Sequence, residues 1–124
     1  MKSIVLVVDD SLMRRHFIVN HLRTFGFDFV EAKNADEAMD HLAAGNIALI
    51  IADSYHADLA SLEMMERIRI VPEYQATPVL LIVHPTHKEN LSSIMKAGYK
   101  DHLKIPFESH DLAKKVERLI GLGG

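Results

Sequence analysis

The hydrophobic pattern of the sequence is dominated by three short, continuous apolar runs rich in β-branched residues: Ile4–Val8, Ala48–Ala52 and Val79–Val83. Runs that are apolar at every position, rather than at alternate positions, are typical of strands covered on both faces of a parallel sheet. Two weaker candidates, Phe27–Ala32 and Asp101–Ile105, are more polar. We therefore predict five strands, of which these two lie nearer the edges of the sheet.

Helix signals fill the intervals between the predicted strands. After the first strand, Ser11 is a suitable N-cap and Gly26 a stop signal for a first helix. Asn34 and Glu37 resemble a capping box that opens a second helix, which Gly45 would end. Both helices are therefore predicted with a defined start and a defined end.

Apolar residues at helical spacing predict three further helices. One ends before Pro72, one begins at a capping box formed by Thr86 and Glu89, and one closes the chain. The last of these carries an apolar stripe at Leu112, Val116, Leu119 and Ile120. Strands that alternate with helices imply a parallel sheet with right-handed crossovers and helices on both faces. We predict one doubly wound α/β domain over residues 1–124.

Composition narrows the functional classes. The chain has 124 residues with 14 Lys+Arg against 17 Asp+Glu, a formal charge of −3 and a pI near 6.2. A chain with this balance lacks the net positive charge that would favour binding to nucleic acid or to a membrane surface. No apolar run approaches the length of a membrane span, and the absence of cysteine excludes disulfides, thiolate metal sites and cysteine nucleophiles. We expect a soluble, cytoplasmic domain.

Acidic residues follow two of the predicted strands. Asp9 and Asp10 come directly after the first strand, and Asp53 follows the third. In an open α/β sheet, ligands bind beyond the carboxyl ends of the strands, so three carboxylates on neighbouring strands would suit Mg²⁺. Acids also occur after strands simply because loops are polar and helices favour acidic N-termini. Two strand ends with acids in matching places favour a site.

Five stretches together resemble a response-regulator receiver domain. They are Val7–Ser11, Arg14, Ile50–Asp53, Ala97-Gly98 and Pro106-Phe107. The resemblance spans essentially the whole chain and is strongest to the stand-alone, chemotaxis-like (CheY-like) form. It implies a flavodoxin-like, five-stranded parallel (βα)5 sheet with strand order 2-1-3-4-5.

The resemblance also implies roles for individual residues. Asp53 matches the phosphoacceptor, which receives a phosphoryl group from a sensor histidine kinase or phosphotransfer protein. Asp9, Asp10, Asp53 and the backbone carbonyl of Tyr55 match the residues that hold Mg²⁺. Any catalysis would then be limited to Mg²⁺-dependent self-phosphorylation and dephosphorylation on Asp53, with no separate substrate.

The second half of the chain departs from the family pattern. Val83 stands where family members carry Ser or Thr at the end of the fourth strand, and Ile105 replaces the Lys before the late proline. Lys104 is one residue away, which on a strand reverses the face, although a bulge could restore it. His102 replaces the usual aromatic residue of the fifth strand. We expect weaker phosphoryl contacts and, by resemblance, a cis Ile105–Pro106 bond.

The sequence contains eight histidines. His56, His84, His87 and His102 are the most interesting, since a transition metal or a pH-sensitive site is conceivable with Asp53. No metal-ligand spacing recurs among them, so ordinary loop and helix-cap positions are the favoured interpretation. His84 is the preferred exception, because it follows Val83 and is placed to contact a phosphoryl group.

Two functions remain open. The first is a two-component receiver that signals by binding an unidentified downstream protein, by resemblance through the fourth helix, fifth strand and last helix. The alternative is a pseudo-receiver that acts as a phosphorylation-independent interaction module, for which Val83 and Ile105 are the evidence. A flavin-binding protein of the same fold is less favoured, because no Ser/Thr/Gly-rich phosphate loop follows the first strand.

Overall fold

The computed structural model describes residues 4–53, 59–83, 96 and 98–123. The sheet contains five parallel strands: β1 (Ile4–Val8), β2 (Asp28–Ala32), β3 (Ile47–Asp53), β4 (Val79–Val83) and β5 (Asp101–Lys104). Their order is β2-β1-β3-β4-β5. This order confirms the doubly wound, flavodoxin-like sheet expected from the sequence. The three continuous apolar runs form the three central strands, and the two more polar runs form the edges.

Helices connect the strands on both faces of the sheet. They are α1 (Leu12–Thr24), α2 (Ala35–Ala44), α3 (Leu59–Ile70) and the C-terminal helix α4 (Ser109–Gly123), with a 3-10 turn at Pro72–Tyr74. The helix predicted to begin at Thr86 and Glu89 falls on residues 84–95, outside the described part of the chain. The structure confirms the other predicted helices, which are α1, α2, α3 and α4.

The predicted helix ends are confirmed by the capping contacts. The Ser11 Oγ accepts a hydrogen bond from the Arg14 N–H at 3.3 Å, and the Asn34 Oδ1 accepts one from the Glu37 N–H at 2.9 Å. Gly26 and Gly45 follow α1 and α2 with φ of +78° and +92°. These are backbone conformations that residues with a Cβ rarely adopt, which is why the two helices stop at these glycines.

The sheet separates two apolar cores, because side chains at alternate strand positions face opposite sides. Between the sheet and α2 and α3, the buried residues include Leu6, Leu42, Ile50, Ile68 and Leu81. Between the sheet and α1 and α4, they include Val7, Leu22, Ile51, Ile82 and Val116. The second core lies directly beneath the strand ends that carry Asp9 and Asp53.

An ion pair fixes the C-terminal helix to the edge strand β5. The Lys115 Nζ lies 3.0 Å from the Asp101 Oδ2, and the His102 N–H donates to the Asp101 Oδ1 at 2.7 Å. Burial works to raise the pKa of Asp101, but the hydrogen bonds from His102 and Lys115 and their charges outweigh it. The net pKa of Asp101 is therefore lowered, which means that folding favours its charged form.

We expect Asp101→Asn to lower the free energy of unfolding at pH 7 by about 1 kcal/mol, through the loss of a charge-assisted contact. Because the pKa of Asp101 is lower in the folded state, this contribution is present above its unfolded pKa and is lost as the pH falls below about 4. Urea unfolding of wild type and variant at pH 7 and pH 3 checks this. Asp36→Asn, at an exposed ion pair with Arg67, is the control. Because the contribution disappears completely only below the lowered folded-state pKa, a smaller difference at pH 3 is expected, and a difference as large as that at pH 7 would contradict the interpretation.

Candidate functional site

Two buried carboxyl groups meet at the carboxyl end of the sheet. Asp9 directly follows β1 and is 4% exposed, and Asp53 is the last residue of β3 and is 7% exposed. Because β1 and β3 are neighbours in a parallel sheet, both side chains lie at the same edge. Asp10 lies at the rim, with its side chain 57% exposed. The acids singled out in the sequence are therefore neighbours in space, two of them buried.

Asp9 is held by the first turn of α1. Its Oδ1 accepts hydrogen bonds from the Ser11 N–H at 2.9 Å and the Arg14 Nη2 at 3.0 Å, and its Oδ2 accepts one from the Arg14 Nε at 3.0 Å. Burial raises the pKa of Asp9 most strongly; the hydrogen bond from Arg14 lowers it, and the adjacent Asp53 carboxyl raises it again. The net pKa of Asp9 is raised, because one arginine does not fully compensate two buried acids.

Arg14 joins all three carboxylates. Besides Asp9, its Nη2 lies 3.0 Å from the Asp10 Oδ1, and its Nε lies 3.4 Å from the Asp53 Oδ2. The hydrogen bonds to Asp9 and the surrounding negative charges raise the pKa of Arg14. Sequence reasoning used Arg14 only as part of the family motif. The feature of the sequence that could have indicated its contact with an acid is spacing, because Arg14 lies four residues after Asp10 on the helix that follows the acids.

The acids are suitable in kind for a divalent ion. Carboxylate oxygens are the ligands that Mg²⁺ prefers, and those of Asp9, Asp10 and Asp53 converge on one cationic group. Within the described ranges, however, no three acidic or histidine side chains have the arrangement of a metal-binding cluster. The carboxylates surround the extended guanidinium group of Arg14 and not a single central position. Tyr55, whose carbonyl the resemblance adds to the ligands, lies outside the described residues.

Val83 and Ile105, two positions that depart from the family pattern, lie where β4 and β5 end side by side. Val83 is buried at the end of β4 and pairs in register with Lys104, and the Ile105 N–H continues the pairing to the Val83 carbonyl at 2.9 Å. The β4–β5 register contains no bulge, so Lys104 and Ile105 face opposite sides. Lys104 is exposed, and Ile105 packs against the α1–α4 core. The Ile105–Pro106 bond is cis, as the resemblance implied.

A mostly apolar cavity of about 350 Å³ opens beside Asp53. Its lining residues are Met13, Arg14, Phe17, Ile18, Asp53, Ile82 and Ile105. Ile105, at the position where the family carries a lysine, therefore presents a hydrocarbon side chain to the space next to the predicted phosphoacceptor. Lys104 does not line this cavity.

The predicted roles of the histidines concern mainly residues outside the described ranges. His56, His84 and His87 all lie there, including the preferred phosphoryl contact His84. His102 is half-buried on β5, where its Nδ1 lies 3.9 Å from the Asp101 Oδ1. His102 does not line the cavity beside Asp53.

The sequence matches the model of a known family. The model for the response regulator receiver domain matches residues 5–117. The chain belongs to this family. Receiver domains bind Mg²⁺ in their active site and act in two-component signalling, where they interact with histidine kinases and downstream effectors. This receiver is of the CheY type.

Individual relatives support the same assignment. The chain is 31% identical to a chemotaxis protein CheY homologue of Campylobacter jejuni over 121 residues, covering 96% of this chain and 93% of the relative. It is 29% identical to chemotaxis protein CheY1 of Helicobacter pylori over 119 residues, covering 94% and 96%. These relatives match the receiver over nearly their full length.

Solved structures have the same fold. CheY4 of Vibrio cholerae superposes with a TM-score of 0.82 at 25% identity, covering 96% of this chain and 99% of that one. The receiver domain of sensor histidine kinase PA1611 from Pseudomonas aeruginosa, described with a magnesium ion coordinated in its active site cleft, has a TM-score of 0.84 at 20% identity, covering 98% and 99%. Among the described helices of our chain, none is long and apolar enough to cross a membrane.

Neutralising one of the two buried acids is expected to stabilise the metal-free protein. We expect Asp53→Asn to raise the free energy of unfolding by about 1 kcal/mol at pH 7, because Arg14 then compensates a single buried carboxylate. Urea unfolding in the presence of a chelator measures this effect.

The control for this experiment is Asp10→Asn. It removes a contact of the same arginine at an exposed position and should change stability by less. Destabilisation by Asp53→Asn would instead mean that Arg14 balances both buried acids in the wild type.

Proposed function

We propose that this receiver accepts a phosphoryl group on Asp53 from a sensor histidine kinase or phosphotransfer protein, and that it signals in the cytoplasm by binding a downstream protein. The observation that carries the proposal is the position of Asp53. This buried carboxylate ends β3 beside Asp9, and a cavity opens directly onto it. Asp53 is thus a buried carboxylate that borders open space, an arrangement that suits a nucleophile approached by a donor from one side.

In the proposed reaction, a carboxylate oxygen of Asp53 attacks the phosphorus of a phosphohistidine on the donor. The P–N bond breaks, the imidazole leaves with the electron pair, and an acyl phosphate forms on Asp53. We propose Asp9, Asp10 and Asp53, with the Tyr55 carbonyl, as the residues that hold Mg²⁺. When bound, the ion neutralises charge on the phosphoryl oxygens.

The residues around Asp53 contribute unequally to this reaction. The hydrogen bond from the Ser11 N–H holds the Asp9 carboxylate in one orientation, so its oxygens point in a constant direction. Val83 and Ile105 are hydrocarbon side chains at the positions where the family places a hydroxyl and an ammonium group. The acyl phosphate is thus expected to lack two direct contacts, each of which is typically worth about 1–3 kcal/mol for a charged group.

The alternative is a pseudo-receiver that binds its partner independently of phosphate. The specific observation that favours it is that Ile105 lines the cavity beside Asp53 while Lys104 faces the other side. In this alternative, any phosphoryl group on Asp53 leaves the rest of the domain and the binding of the partner unchanged. The two functions differ in whether an acyl phosphate forms and whether it changes the rest of the domain.

We expect incubation with Mg²⁺ and a small acyl phosphate to add the mass of one phosphoryl group to the wild-type protein and none to Asp53→Asn, since only the carboxylate can attack. Intact-mass spectrometry measures the adduct, and amide NMR spectra report whether residues beyond the site respond. The exposed-acid variant Asp36→Asn should behave as wild type. No adduct and no spectral change would overturn the receiver proposal in favour of the pseudo-receiver.

Restoring the family's two contacts should strengthen phosphorylation. We expect the double variant Val83→Thr/Ile105→Lys to raise the steady-state fraction of phosphorylated protein at least fivefold, because the family pattern places a hydroxyl and an ammonium group that contact the phosphoryl group at these two positions. Quantitative intact-mass spectrometry under limiting donor measures this. Lys104→Ala is the matched control, and an equal effect of this change would contradict the assignment of faces on β5.

A further inference from the structure

The cation among the carboxylates belongs to the protein itself. Arg14 makes charge-assisted hydrogen bonds of 3.0 Å to Asp9 and Asp10, and its Nε lies 3.4 Å from the Asp53 Oδ2. These carboxylates belong to the same three residues that we propose as Mg²⁺ ligands. A guanidinium with several donors in a fixed plane can satisfy several carboxylates at once, which a flexible ammonium does less well.

The start of α1 delivers Arg14 to this position. Ser11 caps the helix, its Oγ accepting from the Arg14 N–H and its own N–H donating to Asp9. Arg14 therefore lies in the first helical turn, four residues after Asp10 and five after Asp9. The contact follows from the local backbone and forms part of the folded architecture.

Two cations cannot share these oxygens. A divalent ion that bound Asp9, Asp10 and Asp53 would place its charges against the guanidinium, at distances where like charges repel strongly in a partly buried site. Binding of the ion must therefore break the contacts of Arg14. The free energy lost when the Arg14 contacts break reduces the net binding free energy of the ion, so the affinity for the ion is lower.

We infer that Arg14 is a built-in counter-ion that competes with the divalent cation for Asp9, Asp10 and Asp53, and that it sets the Mg²⁺ affinity of this receiver. The inference rests on the proposed Mg²⁺ site. Arg14 stabilises the metal-free protein by compensating the buried acids, and it weakens ion binding by the same contacts.

The cavity beside Asp53 gives the displaced side chain a place. Arg14 already borders this cavity together with Phe17 and Ile105. Because Ile105 carries no charge, no ammonium from that position opposes a guanidinium there. Movement of the Arg14 side chain into this space would exchange the two cations, and Phe17, which also lines it, is the kind of aromatic residue with which a guanidinium interacts favourably.

The test is a magnesium titration of the full chain by calorimetry, on wild type, Arg14→Ala and Arg14→Gln. We expect the dissociation constant for Mg²⁺ to fall at least tenfold in both variants, within the range of ordinary coupling between competing ligands. The rise in melting temperature at saturating Mg²⁺ should also be larger in the variants. The control is Arg67→Ala, which removes an arginine that pairs with Asp36 away from the site and should leave the constant unchanged.

The outcomes separate this inference from the proposed function. If wild type binds Mg²⁺ as tightly as both Arg14 variants, or more tightly, the inference is overturned and the proposed Mg²⁺ site is retained. Absence of binding to every protein overturns both. Binding to the Arg14 variants alone supports the inference in its strongest form.

A second measurement needs no variant and so does not depend on whether the variants fold. The Nε–H resonance of Arg14, assigned in the wild-type protein by NMR, should shift during the magnesium titration with the same midpoint as the Asp9 amide resonance. An Arg14 resonance that stays unchanged while the Asp9 amide titrates shows that the guanidinium keeps its contacts, and it overturns the inference.

Discussion

The chemistry of this receiver depends on the compensation of two carboxylates buried at the ends of adjacent strands. A buried charge is unfavourable unless hydrogen bonds and an opposite charge offset the loss of water. For Asp9, the Ser11 N–H and the Arg14 guanidinium supply this compensation. Burial and the neighbouring Asp53 carboxyl raise the pKa of Asp9 in spite of these contacts, which is the direction expected when the compensation is incomplete. A site left in this condition has a remaining demand for positive charge, which is the property that an ion-binding and phosphoryl-accepting site requires.

Much of the fold was predictable because it depends on short-range patterns. Apolar runs set the central strands, and the caps at Ser11 and Asn34 set the helix starts, since each depends on a few neighbouring residues. The bounds of β2 and β5 differ from the predicted runs by one residue at one end, and those of β3 by one residue at each end, because hydrogen bonding rather than hydrophobicity decides where a strand ends. The strand order came from the family resemblance and was confirmed.

The site was predictable in its backbone positions and less so in its side-chain contacts. Adjacent strands place Asp9 and Asp53 at one edge, and strand alternation separates Ile105 from Lys104. The partner of the acids was missed, because the reach and direction of Arg14 depend on how α1 leaves the sheet, and no periodicity encodes that. The roles of Tyr55 and His84 remain predictions, since both lie outside the described residues.

The arginine that follows in the sequence has a separate task. The Arg15 Nη1 donates to the backbone carbonyl of Asp9 at 2.6 Å, and its Nε lies 3.2 Å from the Glu31 Oε1 on β2. These bonds tie the first turn of α1 to two strands through a side chain that does not approach Asp53. The helix is thereby anchored at the point where its neighbour would exchange places with an ion. Arg15 makes these contacts without the help of Arg14, so displacement of the Arg14 side chain is expected to leave the start of α1 in place.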